Sequence, residues 1–228
     1  MSLLESTLSD CSPSRSDIER ISMTGQPCTM KNCNFEELDL TKLDLSGWQF
    51  ERCNLTRASF DGAILDGVSF SGCRAARASF QGARFLDGTI DGGDFSNTNM
   101  RGATLSAASL KRCKMTGADF TEVQSMGIEF EDVLLVLAII PKFSFQKMTL
   151  KQVDFSDADM RACDFRNSVF EDCSLRNAHL ADCGFENADL RGADLGGVKL
   201  HDARRFKGAI ISKRQAADLL GQLGLVVL

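Results

Sequence analysis

The chain has 228 residues and a formal net charge of −5, with 43% hydrophobic and 25% charged residues. This composition fits one soluble domain without a linker or low-complexity boundary, and the acidic balance does not favour direct nucleic-acid binding. The opening residues MSLLESTLSD contain acids but no basic segment, so no secretory signal peptide is predicted. We therefore expect a cytoplasmic protein with reduced thiols and no membrane association.

Residues 1–27 form the first predicted unit. The segment is rich in serine, and its larger apolar residues follow no clear period: Leu3, Leu4, Leu8, Ile18 and Ile21. We expect an N-terminal cap or a partly ordered segment that covers part of the first coil of the region that follows, because an open solenoid end needs covering.

Residues 28–202 follow a five-residue period. A large apolar residue stands at every fifth position from Met30 to Leu200, with only Ala75 and Ser125 as exceptions. The position two residues before each of these centres is almost always small or apolar. A helix repeats every 3.6 residues and a strand every two, so neither element alone explains the period. Three extended residues followed by a two-residue corner do explain it, and repeated corners wind the chain into a solenoid.

The spacing of the cysteines predicts four faces per coil. Eight of the nine cysteines occupy the small inward position, and most of them recur at every fourth repeat or a multiple of it: Cys28, Cys33, Cys53, Cys73, Cys113, Cys163, Cys173 and Cys183. Four repeats make a coil of about 20 residues, so residues 28–202 form nearly nine coils. At roughly 4.8 Å per stacked strand the rod is about 42 Å long. We expect these cysteines to act as small apolar core residues.

The repeats also carry a recognisable motif. The stretches ADLRG at 188–192, ADLGG at 193–197 and ASFDG at 58–62 are similar to the A-(D/N)-L-x-x motif of the pentapeptide-repeat family. This resemblance covers about three quarters of the chain. It implies an all-β solenoid, namely a right-handed quadrilateral β-helix of pentapeptide repeats with a C-terminal capping α-helix. Proteins of this fold have diverse roles, so the resemblance to the family as a whole does not define a function.

In the stretch VLLVLAIIPK at 133–142, the outward-facing positions of the repeats are not polar as they are elsewhere. Its centres keep register, but four apolar residues occupy positions that point outward elsewhere: Leu134, Val136, Leu137 and Ile139. Three interpretations remain open. The coil exposes an apolar patch that binds a partner, the chain leaves the coil as a projecting loop, or the residues cover a neighbouring segment such as residues 1–27. Nine apolar residues are too few to span a membrane.

Residues 203–228 abandon the five-residue period. Ser212 and Gln215 form a predicted capping box at the start of a helix, and Gly224 ends that helix. Part of the helix must cover the last coil. The helix and the tail carry more apolar surface than one cap needs, which indicates a dimerisation surface formed by Leu219, Leu220, Leu223, Leu225 and Val227. The alternative is that the tail folds back onto its own coil.

The same C-terminal segment resembles a narrower group of pentapeptide-repeat proteins. The quinolone-resistance (Qnr) proteins and their mycobacterial and microcin-immunity relatives end in a Q-A-x-x-L-L-x-x-L-G pattern, which is matched here by Gln215, Ala216, Leu219, Leu220, Leu223 and Gly224. The resemblance implies a C-terminal homodimer that binds DNA gyrase or topoisomerase IV and protects it from a quinolone or a natural-product poison. It also implies DNA mimicry, although the excess acids are spread over all four predicted faces. The alternative is a scaffold rod with an unrelated cytoplasmic protein partner.

The sequence does not favour an enzyme. His179 and His201 both lie at outward positions, and no H-E-x-x-H, P-loop, G-x-S-x-G or C-x-x-C motif occurs. The glycine-rich stretch at 87–95 is interpreted as tight corners rather than a phosphate-binding loop. A rod with a filled interior has no cleft for a substrate. We predict a binding protein without catalytic residues, cofactor or metal.

Overall fold

The structure of the protein is a computed structural model that describes residues 6–198, 203–221 and 224–226. Short parallel strands and single-residue bridges alternate with turns along most of the chain, and helices lie near both ends. The elements, in chain order, are β1 (Ser6–Ser9), α1 (Arg15–Ser22), β2 (Cys28–Lys31), β3 (Gln49–Glu51), β4 (Ser69–Ser71), β5 (Thr89–Asp91), β6 (Ser109–Lys111), β7 (Glu129–Leu134), β8 (Thr149–Asp154), β9 (Val169–Glu171), β10 (Cys173–Ser174), β11 (Ala193–Asp194), a 3-10 helix (Ala203–Phe206) and α2 (Lys213–Gly221).

The strand and bridge residues of the regular repeats pair in parallel with their counterparts four repeats further along the chain. Phe50 pairs with Phe70, and Ser79 pairs with Asn99 in the same way on another face. Strands β1 to β9 stack in sequence order on one face of the rod. The predicted solenoid, with four faces and four repeats in each coil, is therefore confirmed.

A turn separates each face from the next. At a typical corner the Ala58 amide donates to the Leu55 carbonyl at 3.0 Å, and Arg57 has a φ of 56°. Positive φ at the third turn residue favours glycine and asparagine, although many larger residues occupy it here. Gly93 is a special case, because it has a φ of 96° at an inward position and an added Cβ would lie 2.2 Å from the Cys73 carbonyl oxygen. Only glycine fits there.

An aspartate or asparagine immediately before a centre stabilises the following corner. The Asp94 carboxylate accepts a hydrogen bond from the Ser96 amide at 2.9 Å, and Asp119 accepts one from the Thr121 amide at the same distance. Aspartate and asparagine are favoured at this position because their short side chains reach a backbone amide two residues further on. This contact is the physical reason for the D/N position of the repeat motif.

Stacked aromatic rings fill much of the core. Phe145, Phe165 and Phe185 form one column with centroid distances of 4.8 and 4.9 Å, and Phe206 extends it at 4.9 Å. One coil before this column the sequence places the small Ser125 at a centre. The buried Phe143 ring lies 4.6 Å from that of Phe145 and 6.0 Å from that of Phe130, so it supplies bulk where the serine lacks it.

The N-terminal segment adds a strand to the rod. Ser6 pairs with Cys28 and Ser9 pairs with Lys31, so β1 extends the first face by one strand. Helix α1 begins with a capping box at Ser14, and its Ile18 side chain is fully buried. For the described part of this segment, the interpretation that it lies under the apolar stretch at 133–142 is wrong, because β1 stacks on β2, several coils away from β7.

The C-terminal coil continues beyond the expected boundary at residue 202. Asp189 pairs with Ile210, so the last coil holds one residue more than the regular coils. In α2 the predicted capping box is present, since the Gln215 amide donates to Ser212 Oγ at 3.2 Å and the Ser212 amide donates to Gln215 Oε1 at 2.7 Å. Among the described residues no helix is long and apolar enough to cross a membrane.

Candidate partner-binding surfaces

The apolar stretch forms a regular coil rather than a projecting loop. Leu134 is the last residue of β7, and Ile139 pairs with Asp119 on one side and Asp159 on the other. The regular register is unbroken through this coil, and the inward residues Val133, Leu135 and Ala138 are buried. The loop interpretation is therefore wrong for this segment.

The four outward residues together make the patch 134–139, defined here as Leu134, Val136, Leu137 and Ile139. Leu134 is 43% exposed, Leu137 60% and Ile139 40%, while Val136 is half-buried. The patch wraps one corner of the rod, so residues from two adjacent faces contribute to a single convex apolar surface. Contiguous exposed apolar surfaces of this kind are typical of a contact with another molecule.

Leu137 occupies a position that is unfavourable for its side chain. It lies at the third residue of the corner with a φ of 59°, and it is the only large apolar residue among the described residues with positive φ. Left-handed backbone disfavours bulky side chains, but corners throughout the rod adopt it, several of them with lysine or arginine. Leu137 therefore stands out for its apolar side chain at an exposed corner. The corner rule could have identified this anomaly from the sequence, because the second residue after each centre occupies the same turn position.

Acidic residues border the patch on its C-terminal side. Asp154 and Asp159 are the ladder neighbours of Leu134 and Ile139 in the next coil. Arg161 donates a hydrogen bond to Asp159 at 2.7 Å and lowers the pKa of that carboxyl below its usual value. Asp157 lies at the corner between them and has no ion-pair partner among the described residues. The rim therefore presents negative charge beside an apolar centre.

The C-terminal end presents a second apolar surface. Leu219 is buried against the rod, but Leu220, Leu225 and Val226 are exposed, at 39%, 55% and 83% respectively. Two of the residues predicted for dimerisation, Leu223 and Val227, lie outside the described residues. The exposed residues belong to the helix that closes the last coil and to the tail after it. This end of the rod therefore carries apolar side chains that are not buried in its own core.

Gln215 joins this helix to the rod. Its side-chain nitrogen donates to the carbonyl oxygens of Leu190 and Ala193, both at 2.7 Å, and the residue is 8% exposed. The sequence identified Gln215 as a capping residue, but not as the donor to two backbone carbonyls of the preceding coil. The helix is therefore fixed in orientation by polar contacts as well as by the burial of Leu219.

The cysteines form ladders inside the rod. The Cys53 thiol donates to the carbonyl oxygen of Met30 at 3.3 Å, and the Cys73 thiol donates to that of Phe50 at 3.2 Å. Burial raises the pKa of the Cys113 thiol to about 12, so this thiol stays protonated at neutral pH. All nine cysteines are free thiols. In the described part of the chain no group of three or more His, Cys, Asp or Glu side chains could hold a metal ion.

Family models built from known proteins match the repeats of this chain. Models described as pentapeptide repeats match residues 50–92 and 144–189 with nine copies, and residues 28–57 and 91–123 with eight copies. Together they cover more than half of the chain. The internal interval without a match, 124–143, contains Ser125 and the whole of the patch 134–139. No curated protein sequence matches the chain.

Solved structures share the fold over nearly the full length. A trypsin-treated variant of QnrB1, a plasmid-mediated fluoroquinolone resistance protein, has a TM-score of 0.64 at 21% identity, and the alignment covers 98% of each chain. Full-length QnrB1 gives a TM-score of 0.52 at 19% identity, with 96% of this chain and 100% of the other covered. At such identities the likeness concerns the fold. From its repeats, the register of its coils and these matches, the chain belongs to the pentapeptide-repeat family.

Proposed function

We propose that this protein binds DNA gyrase or topoisomerase IV and protects the enzyme from a quinolone or a natural-product poison. The observation that carries the proposal is the likeness to QnrB1, a fluoroquinolone resistance protein, over 98% of both chains, including the C-terminal cap. The Q-A-x-x-L-L-x-x-L-G pattern of that cap adds to it, and its Gln215 and Leu219 contact the rod.

The patch 134–139 is the proposed contact with the topoisomerase. It contains three exposed aliphatic side chains, one of which, Leu137, lies at the corner of the rod. Burying such side chains on a partner contributes about 25 cal/mol for each Å² removed from water. The acidic rim at Asp154 and Asp157 favours a partner surface that has basic residues around an apolar pocket. A topoisomerase surface that contacts DNA phosphates would supply the basic residues.

The distribution of charges along the rod does not resemble the continuous line of negative charge of a DNA phosphate backbone, so we favour apolar contact as the main source of binding. Along the first face, lysine and glutamate pair between neighbouring coils, as in Lys31 with Glu51 at 3.2 Å and Lys151 with Glu171 at 3.6 Å. Such pairs neutralise one another locally. DNA mimicry would therefore depend on short acidic groups such as the rim of the patch rather than on one uninterrupted stripe of carboxylates.

The proposal includes a homodimer formed by the C-terminal ends. A twofold contact uses the same surface on both chains, and Leu220, Leu225 and Val226 offer an exposed surface at one end of the rod. Two rods joined end to end would reach roughly 90 to 100 Å, given about 4.8 Å per coil and two caps. This length suits an enzyme that is itself twofold symmetric.

A binding measurement with matched variants tests the proposal. Substituting Leu134, Leu137 and Ile139 by asparagine gives a patch variant that removes apolar surface, and asparagine tolerates the left-handed corner better than leucine. Met126, 84% exposed on another part of the rod, provides the control Met126→Asn.

We expect the patch variant to bind purified gyrase at least about tenfold more weakly than the wild type, because the substitutions remove apolar surface that contributes about 25 cal/mol for each Å² buried at the contact. The melting temperature should change little, and Met126→Asn should bind normally. Unchanged binding by a folded patch variant would contradict the assignment of the patch. If the triple variant unfolds, the single change Leu137→Asn decides the question. Absence of binding by the wild type to either topoisomerase would support the scaffold alternative.

A further inference from the structure

Cys11 extends the main cysteine ladder by one coil. The five-residue period does not predict this position, because Cys11 and Cys33 are separated by 22 residues instead of the four repeats that separate stacked residues in the regular coils. The same enlarged offset relates Ser9 to Lys31 in the adjoining strands. The Cys11 and Cys33 sulfur atoms are 3.0 Å apart. These two thiols thus face each other across neighbouring coils at the N-terminal end of the rod.

Backbone hydrogen bonds hold the two residues in register. The Asp10 amide donates to the Lys31 carbonyl at 2.9 Å, and the Asn34 amide donates to the Cys11 carbonyl at 2.8 Å. Stacked strands place paired Cα atoms about 4.8 Å apart, and disulfides span Cα separations of about 4.4 to 6.8 Å. A bond between the two sulfur atoms therefore requires no change in strand register.

Access distinguishes this pair from the other stacked cysteines. Cys53 and Cys73 have no exposed surface, and Cys163 and Cys183 are each 1% exposed, whereas Cys11 is half-buried. Cys33 is 1% exposed and lies directly behind Cys11. A small oxidant from solvent can therefore reach Cys11, and Cys33 is positioned to react next.

We propose that Cys11 and Cys33 form an oxidation-sensitive latch that joins the N-terminal strand covalently to the rod. The oxidant is a hydroperoxide. The Cys11 sulfur attacks a peroxide oxygen, the O–O bond breaks, and Cys11 becomes a sulfenic acid while hydrogen peroxide releases one water. The Cys33 sulfur then attacks the Cys11 sulfur, the S–O bond breaks, and the departing hydroxide takes the Cys33 proton and leaves as a second water. Two thiols are oxidised and one peroxide is reduced.

The latch closes the loop that contains α1. In the reduced protein β1 is an edge strand held by its pairing with β2, and α1 covers the rod end through the buried Ile18. A crosslink from Cys11 to Cys33 ties both ends of this segment to the first coil and restricts the unfolded chain. The oxidised protein should therefore resist fraying of its N-terminal end.

Peptide mapping tests the proposal directly. The full-length protein is treated with hydrogen peroxide, blocked with N-ethylmaleimide, unfolded and digested with trypsin. Cleavage after Arg15, Lys31 and Lys42 gives peptides 1–15 and 32–42, each with a single cysteine, so a crosslink between them is unambiguous. We expect this crosslinked pair as the main disulfide, its loss on treatment with dithiothreitol, and a higher melting temperature for the oxidised protein.

Two variants provide the comparison. Cys11→Ser should abolish both the crosslink and the temperature shift. Cys113→Ser should affect neither, because the ladder positions one coil away from Cys113 are Gly93 and Val133. Oxidation of Cys11 to a sulfinic acid with Cys33 still free would overturn the proposal. So would a crosslink of Cys33 to Cys53. The raised pKa of Cys11 lowers its thiolate fraction, so the proposal is also overturned if Cys11 stays fully reduced at peroxide exposures about a thousandfold greater than those that oxidise free cysteine.

Discussion

The side-chain amide of Gln215 donates a hydrogen bond to the carbonyl oxygen of Leu190 at 2.7 Å, which joins the C-terminal helix to the last regular coil. A second bond from the same nitrogen reaches Ala193. The glutamine also completes the capping box of its own helix. One side chain therefore orients the helix whose apolar surface is proposed to form the dimer contact.

Replacing Gln215 by leucine should destabilise the C-terminal end. The change removes the side-chain donor of two buried carbonyl groups. The Leu190 carbonyl still accepts from the Ala193 amide at 2.9 Å, so the main cost is that of the Ala193 carbonyl, about 1 to 3 kcal/mol for an unsatisfied group. Thermal unfolding followed by circular dichroism should detect a lower melting temperature. Gln146→Leu, at an exposed position of the rod, is the matched control and should leave the melting temperature nearly unchanged.

Gly93→Ala should be one of the most damaging small substitutions in the rod. The added Cβ would lie 2.2 Å from a backbone oxygen of the neighbouring coil, and φ at this residue is 96°. The backbone must shift to relieve the contact, at a cost of roughly 2 kcal/mol or more. Gly82→Asn tests the alternative that any corner glycine is essential. An added Cβ at Gly82 meets no atom within 4 Å, so this variant should fold normally.

The reactivity of the Cys11 thiol should increase with pH in a more alkaline range than that of an ordinary cysteine. Burial, the hydrogen bond to Cys33, and the nearby Cys53 and Asp10 raise the pKa of the Cys11 thiol to about 11. Only the thiolate is nucleophilic, so alkylation by iodoacetamide should keep accelerating above pH 9 instead of levelling off near the ordinary cysteine pKa of about 8.5. Mass spectrometry of peptide 1–15 measures the rate. A plateau below pH 9 would contradict this environment for Cys11.

Charge placed at the rod end should separate the proposed dimer. Changing Leu220 and Leu225 to aspartate would bury two carboxylates at an apolar contact, which is strongly unfavourable. Light scattering should report about two chains of 24.9 kDa for the wild type and one chain for the variant. The β signal in circular dichroism should persist, because the coils do not depend on the tail. A monomeric wild type at micromolar concentration would rule out the dimer.

The sequence predicted the fold well because the period is carried by many independent positions. The centres from Met30 to Leu195 keep their places in the coils despite single anomalies such as Ser125. The register is maintained because each coil is hydrogen-bonded to its neighbours, so one unusual residue does not shift the pairing. The prediction was weaker at the two ends. The enlarged offset before Cys33 and the extra residue in the last coil break the period, so neither β1 nor the pairing at Ile210 could be found by counting in fives.

The candidate surfaces could be predicted only in part. Exposure of Leu134 and Leu137 follows from their outward positions, but the sequence left open a projecting loop or a covering segment. The three interpretations differ in whether residues 119, 139 and 159 pair with one another in successive coils. This pairing depends on the neighbouring coils and not on the stretch itself. The contacts of Gln215 with Leu190 and Ala193 join positions that are far apart in the sequence. Such contacts carry no local sequence signal.

A gyrase assay with a poison tests the central claim most directly. Purified gyrase, plasmid DNA and a quinolone are combined with increasing amounts of this protein, and supercoiling and cleaved DNA are both measured. We predict that the wild type restores supercoiling and lowers the amount of cleaved DNA, whereas the patch variant does so only at concentrations higher by about tenfold or more. Met126→Asn should match the wild type. If neither supercoiling nor cleavage responds to the wild type, with the quinolone and with several natural-product poisons of gyrase and topoisomerase IV, the protein does not protect these enzymes.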